Sequence, residues 1–485
     1  MFRALLNRLF GRDATGRSVS RVRSTGEPGK IFQRIGAALS GAPARVAGLA
    51  EAERIEPPEE YEQDVPLLLL GIDFGTAFTK AVWRDWGGVR VGVAPLGADG
   101  AAMAPSVVWV DDSGGLHLSD SGGARAERLL KMRLASGNQD DGNQGDIAAL
   151  CVFFVGSVLR AAMAPARKAF RGRPVMLYGA SVGCPAEYCD DGRVTTFQSV
   201  AAQAWRWAHA DDAPRSLDLL KEWMRGEGAA AELFEARAEV TAAVDCFTMR
   251  PDAEEGRYVF LDVGAGTLDG AVFILYREAQ RLKVTVLSTA VAPLGVEMMV
   301  RAAAIEKSAD PASLRDQLFQ QTPLDETTWR NSRGEVGKFV GSLILAARKR
   351  DPIGDWLRWR DARPHAWISL EDKINLARRL PAFFGGGGAA CSLYRAAADQ
   401  ASRDLEKNYI LPRLALGEIA PPDGFEGARD VPFHRFAVAY GLTRPFTDTP
   451  TWTLPSRLAA PPVPRVIEVS DRLGVDYGSN KDAYD

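Results

Sequence analysis

The sequence predicts an α/β chain built from two similar halves. Three observations carry that expectation. LLLLGIDFGTAFTKAVW at 67–83 reads as strand, glycine turn, strand, and YVFLDVGAGTLDGAVFILY at 258–276 repeats the order. Each is followed by a further apolar strand, VRVGVAPL after the first and LKVTVLSTAVA after the second. Helical spacing fills much of the chain between them, so a strand-and-helix pattern recurs at domain scale. The length of 485 residues accommodates two to four domain-sized units, and 46% apolar with 25% charged residues is the balance of folded protein.

Residues 1–64 stand apart from these halves. Nine lysines and arginines lie between Arg3 and Arg45, against Asp13 and Glu27. Phe2, Leu5, Leu6, Leu9 and Phe10 share helical spacing, as do Ile31, Phe32, Ile35 and Leu39. An acidic linker, EAERIEPPEEYEQD, follows. This composition predicts a loosely ordered basic arm, or a surface helix that touches anionic membrane or an acidic partner through residues 1–48.

The first half is expected over 65–246. After its opening strands come a helix over 147–170, a strand entering a loop in PVMLYGASVGCPAEY, a helix over 192–210, and helix-like spacing over 230–248. The second half is expected over 247–446. It holds a polar, mostly helical region at about 297–380, in which Trp329, Trp356, Trp359 and Trp367 sit among charges. LPAFFGGGGAACSLYR then returns to a strand entering a glycine loop, and FAVAYGLTRPF reads as a helix ending near Gly441. Residues 447–485 are Pro-rich, then acidic, and read as a tail.

Composition excludes several function classes. The net charge of −3 does not suit a surface built for nucleic acid. Five cysteines without a C-x-x-C pair, and four scattered histidines, predict neither a disulfide framework nor a protein-ligated zinc site. The start, MFRALLNRLFGR, lacks the apolar core of a signal peptide. The most apolar stretch, Ile147 to Leu159, is about half the length that spans a bilayer. It reads as a buried helix in a cytoplasmic protein, at most peripheral to the membrane.

The chemistry is expected at the two glycine turns. In the first, an apolar strand delivers Asp73, then Gly75, Thr76 and Ala77. Glycine lets backbone N–H groups approach an anion, the threonine hydroxyl adds a donor, and the carboxylate can hold a hard cation through water. The second turn, Asp262-Val263-Gly264-Ala265-Gly266-Thr267-Leu268-Asp269, repeats the design with two carboxylates. Two such turns, each opening one half, could grip one phosphate chain from opposite sides of a cleft. Arg348-Lys349-Arg350 reads as a solvated helix end.

These residues carry a family resemblance. The turns look like the phosphate-1 and phosphate-2 loops of the actin, hexokinase and heat-shock ATPase superfamily, and the chain resembles in particular the ATPase domain of DnaK-type chaperones. Ala104 to Trp109 resembles the family's T-P-S-V-V strand, and Lys131-Met132-Arg133-Leu134 falls where the family has K-R-L-I-G. Cys184 to Tyr188 is similar to V-P-A-x-F, Glu239 to Ala243 to E-P-T-A-A, and Leu294 to Glu297 to L-G-G-E. Phe384 to Ser392 resembles the glycine turn under the adenosine, and Ala437 to Gly441 matches A-V-A-Y-G. These stretches occur in family order from about 67 to 446. Ala265 stands where the family has a glycine. With 44 residues after Gly441, the chaperones' peptide-binding β-sandwich and helical lid are not expected.

The resemblance implies a two-lobed actin-like ATPase fold, duplicated ribonuclease-H-like domains with a nucleotide cleft between them. It implies ATP or ADP bound with Mg²⁺ and slow hydrolysis driving a chaperone-like switch that acts through a partner protein. Phosphates would be held by Gly75, Thr76, Ala77, Gly264, Ala265, Gly266 and Thr267, with Gly386 and Gly387 near the adenosine. Asp73, Asp262 and Asp269 would position hydrated magnesium, and Lys131, Glu239 and Thr267 would orient the attacking water. The alternative is an actin-like nucleotide-binding scaffold or membrane-associated assembly protein with little hydrolysis. A sugar kinase of the hexokinase type is disfavoured, because no added catalytic base stands out in a sugar-sized insertion.

Overall fold

Apolar runs bounded by glycine turns pair into two sheets of one plan. The computed structural model describes residues 48–56, 65–87, 89–120, 122–136, 144–171, 173–185, 193–226, 233–248, 253–278, 281–319, 326–351, 379–409, 411–428, 431–445 and 450–458. The basic arm to residue 47, much of the acidic linker, Cys189, Trp356, Trp359, His365, Trp367 and the tail from 459 lie outside the described residues.

In the first half, β1 (Leu67–Phe74) and β2 (Phe78–Asp85) form an antiparallel hairpin in which Leu68 faces Asp85 and Phe74 faces Thr79. β3 (Val91–Ala94) and β4 (Met103–Pro105) both pair with β2. β5 (Val108–Val110), β6 (Leu116–His117) and β7 (Arg125–Glu127) make a separate small sheet. Then follow α1 (Leu130–Ser136), α2 (Gln144–Ala169), β8 (Met176–Cys184), α3 (Val194–His209), α4 (Leu217–Arg225), β9 (Phe234–Ala238) and α5 (Glu239–Thr248). In the second half, β10 (Gly256–Val263), β11 (Leu268–Glu278) and β12 (Arg281–Ala292) form an antiparallel meander. Helices α6 (Val296–Lys307), α7 (Pro311–Phe319) and α8 (Glu326–Arg350) lead to β13 (Arg379–Gly385), α9 (Ser392–Tyr409), β14 (Arg413–Glu418), β15 (Phe425–Glu426), α10 (Ala437–Leu442) and β16 (Thr451–Thr453).

The first sheet contains the order β3-β2-β1-β8-β9 and the second β12-β11-β10-β13-β14. Each therefore has an antiparallel third strand outside its hairpin and two parallel strands on the other side. Parallel neighbours need helical crossovers, and helices that cover a sheet's faces bury its central strands along nearly their whole length. β1 and β10 show this, with every residue from Leu68 to Phe74 buried and only Asp262 half-buried from Gly256 to Val263.

Three sequence expectations change. The helix-like spacing over 230–248 resolves into β9 and then α5. The alanines and glutamates there favour helix locally, but pairing with β8 along Phe234 to Ala238 decides for strand. The apolar stretch at 147–159 is the middle of a 26-residue helix, long and apolar enough to cross a membrane by length and composition. Its most apolar window is nonetheless 89% buried inside the protein, against β1, β2, β3 and α3. Gly156 makes room for the Trp207 ring, and Arg160 donates to the Trp207, Ala208 and Ala210 carbonyls at the end of α3. Finally, Thr451 to Thr453, read as tail, pair in parallel with β12.

The chain also returns from its second half to its first. β15 pairs with β3, and α10 packs on β1 and α5. The approach is backbone to backbone. A Cβ on Gly71 would lie 2.0 Å from the Ala439 carbonyl oxygen, and one on Gly441 would lie 1.7 Å from that of Ala242.

Candidate functional site

Equivalent positions of the two hairpins carry different charges. Asp73 on β1 stands opposite Lys80 on β2, whereas Asp262 on β10 stands opposite Asp269 on β11. The first pair closes as an ion pair, Lys80 Nζ donating to Asp73 Oδ2. The second pair is two carboxylates facing one another, a destabilising arrangement in isolation. Burial, followed by Asp73 and Glu239, pushes Asp262 up to about 7. Burial, followed by Glu239 and Asp262, holds Asp269 well above the usual carboxylate range. Thr267 Oγ1 donates to Asp269 Oδ2 at 3.2 Å, but the buried Oδ1 atoms of Asp262 and Asp269 have no hydrogen-bond partner.

Between the turns lies a second ion pair. Lys131, near the start of α1, donates to Glu239, the first residue of α5, and each is only 7% exposed. Burial alone would lower the Lys131 ammonium, but Glu239 and then Asp73 outweigh it and hold it above its ordinary value. Burial raises Glu239, with Lys131 opposing. Gly183 is required here, because a Cβ would sit 2.8 Å from Glu239 Oε1. Leu129 turns the chain into α1 at φ 57°, a left-handed conformation leucine seldom adopts, beside the lysine that reaches the site.

The third wall is the glycine loop after β13. Gly386 has φ 78°, and a Cβ there would lie 2.4 Å from Asp262 Oδ1 and 2.5 Å from the Val263 carbonyl oxygen. Only glycine lets this loop ride over the end of β10. The cleft measures about 390 Å³, within the ~300–1,000 Å³ of small-molecule sites. Asp73, Gly75, Thr76, Ala77, Lys131, Glu239, Asp262, Gly264, Ala265, Thr267, Asp269, Gly386 and Gly387 all line it. Gly266 does not line it. A Cβ there would meet Met132 Sδ at 2.9 Å and Thr76 Cγ2 at 3.3 Å, so the two turns abut at this point.

The chain matches no protein-family model and no curated protein. The reading of the site therefore rests on its geometry. Among the described residues, the backbone N–H groups of Thr76, Ala77, Ala265 and Gly266 donate to no backbone carbonyl. Two turns thus bring spare donors to one cavity, whose lining includes Asp262 and Asp269, each with one buried carboxylate oxygen unpartnered. Among the described residues, no group of three or more His, Cys, Asp or Glu is arranged to ligate a metal directly.

Sequence reading missed several wall residues. Lys80 was legible in principle, since it lies opposite Asp73 in a tight hairpin. Arg315 grips Glu297 through Nε at 2.6 Å and Nη2 at 2.5 Å, and Phe319 lies one turn further along α7. Arg435 enters from the 3₁₀ turn Phe433–Arg435 that precedes α10. These three carry no local motif. Arg348, Lys349 and Arg350 are exposed at the end of α8, away from the cavity lining.

Proposed function

We propose that this chain is an ATP-binding, slowly hydrolysing switch on a two-lobed actin-like fold, related in design to the DnaK-type ATPase domain and acting through a partner protein. One observation carries the reading. Two glycine turns of the same make, on equivalent hairpins of two sheets of the same order, face one cavity with the Lys131–Glu239 pair between them.

The residues fit Mg·ATP. Thr76, Ala77 and Ala265 supply backbone donors for phosphate oxygens, the Thr76 hydroxyl adds to them, and the Thr267 hydroxyl joins them once it turns from Asp269. Asp262 and Asp269 each present an unpartnered oxygen that a hydrated cation would satisfy, with Asp73 beside them. Magnesium, when bound, supplies charge neutralisation for the phosphates. Lys131 stays protonated in its pair with Glu239, so the pair holds one donor and one acceptor at a fixed place between the turns, suited to orienting a water. Phosphoryl transfer needs positioning and charge more than covalent chemistry. A site poised by ion pairs suits slow turnover and a response of the two halves to the bound nucleotide.

The test is single-turnover ATP hydrolysis with magnesium, with affinity measured on the same samples. Thr267→Ala and Lys131→Ala are expected to slow hydrolysis at least ~10-fold while affinity falls less. Tight binding without turnover in the wild type would make the chain a nucleotide-stabilised scaffold, and absence of ATP binding at millimolar concentration would overturn the reading.

A further inference from the structure

Among the described residues, most charges on the cavity wall answer one another. Lys80 is paired with Asp73, Lys131 with Glu239 and Arg315 with Glu297. Two features are left over. Asp262 and Asp269 each keep a bare oxygen at one end. At the glycine loop, Arg435 has a buried Nε with no acceptor and no carboxylate partner.

Arg435 is built into place. It closes a short 3₁₀ turn, Phe433 to Arg435, by donating its backbone N–H to the Pro432 carbonyl at 3.1 Å. Gly386 N–H donates to the neighbouring His434 carbonyl at 3.2 Å, which ties this turn to the glycine loop. The guanidinium lies over Gly387, where a Cβ would come within 3.2 Å of Nη2 and 3.8 Å of Nε and Cζ. Burial, with no carboxylate offsetting it, holds Arg435 below its ordinary pKa, yet a guanidinium keeps its charge. A half-buried cation with its buried Nε unanswered is costly unless a ligand supplies the anion. The other arginine near this loop, Arg395, is already engaged. It pairs with Glu418, donates to the Ala389 carbonyl and lies over the Phe384 ring.

We propose that Arg435 is an anion-gripping specificity residue: its fork takes the phosphate next to the nucleoside, over Gly387, so that the cavity selects nucleoside di- and triphosphates against nucleosides. The loop's course sets the position. Gly386 sits on Asp262 and the neighbouring Gly387 sits under Arg435, so Arg435 lies outward from that carboxylate. A phosphate chain whose far end is held by Thr76 and Thr267 would bring its near end to Arg435. The placement on a nucleotide rests on the proposed function, whereas the anion site rests on Arg435 alone.

The experiment is calorimetric titration of the full chain with Mg·ADP, adenosine and inorganic pyrophosphate, for wild type, Arg435→Gln and Arg435→Lys, with thermal melts of each. Arg435→Gln is expected to weaken Mg·ADP and pyrophosphate by about 10- to 100-fold, the range for hydrogen bonds to a charged group, and to leave adenosine unchanged. Arg435→Lys keeps the charge but not the fork, and is expected to lose about 3- to 10-fold for the two phosphate ligands. If Arg435→Gln does not fold, that smaller selective loss carries the test. Unchanged Mg·ADP affinity in the variants, or equal losses for Mg·ADP and adenosine, would overturn the inference and leave nucleotide binding intact. Pyrophosphate binding that depends on Arg435, without ATP or ADP binding, would uphold the anion site and overturn the proposed function. A wild type that binds neither nucleotide nor pyrophosphate would overturn both.

Discussion

Asp262→Asn should make the ligand-free protein more stable, and only at neutral and alkaline pH. The Asp262 carboxyl, ordinarily near 3.8, is pushed to about 7 by burial and by Asp73 and Glu239. A proton is therefore bound more tightly in the folded state than in the unfolded one. The stability this proton contributes is fully present below pH 4 and is lost as pH rises through 7. The span from 3.8 to about 7 corresponds to roughly 4 kcal/mol between pH 4 and pH 8, as an upper figure. Asparagine has the shape of the carboxyl group without the charge, and its amide can donate to Asp269, directly opposite on β11. The variant is expected to melt several degrees above wild type at pH 8 and within about a degree of it at pH 4, by scanning calorimetry without nucleotide. If the site takes Mg·ATP as proposed, the order should reverse with it present, because the variant would hold that ligand poorly. A variant no more stable than wild type at pH 8 would refute the claim that ionising Asp262, buried beside Asp73 and Glu239, costs the folded state stability.

Other outcomes follow from the same geometry. Lys131→Met leaves Glu239 buried without its partner and should cost about 3–5 kcal/mol in denaturant melts; adding Glu239→Gln should recover most of it, without restoring the proposed hydrolysis. Gly441→Ala drives a methyl to 1.7 Å from the Ala242 carbonyl oxygen and should destabilise by ~3 kcal/mol or more, seen as a lower thermal midpoint or loss of soluble protein. Under the proposed function, Mg·ATP at a hundred times its dissociation constant should stabilise wild type by about 2.7 kcal/mol, and EDTA should abolish most of that gain.

Local sequence made the hairpins legible. An apolar run ending in Asp, then glycine and threonine, has few alternatives to a strand entering a tight turn, and both turns line the cavity. Glu239 and Lys131 were found through resemblance rather than periodicity, since nothing local tells that residues 108 positions apart will pair. Arg315 and Arg435 escaped for the same reason, as their neighbours across the cavity are set by packing. β9 was misread because Phe234 to Ala238 is too short for alternation to outweigh helix-favouring alanine and glutamate; its pairing partner made it a strand. The duplicated strand order needed tertiary information to see, although its cause, two similar hairpins, was on view in the sequence.

The return of the chain to its starting half has a consequence for synthesis. The outer edge of β3 and the face of β1 at Gly71 are covered by β15 and α10, which emerge roughly 200 residues after β9 has completed the rest of that sheet. At ribosomal speeds of ~5–20 residues per second, the nascent first half waits on the order of 10–40 s with that edge and face in water. An unpaired strand edge is a template for association with other chains. The interval in which this protein most needs shielding therefore falls before release from the ribosome, and slowing translation over 249–424 should lower its soluble yield more than slowing it over 1–64.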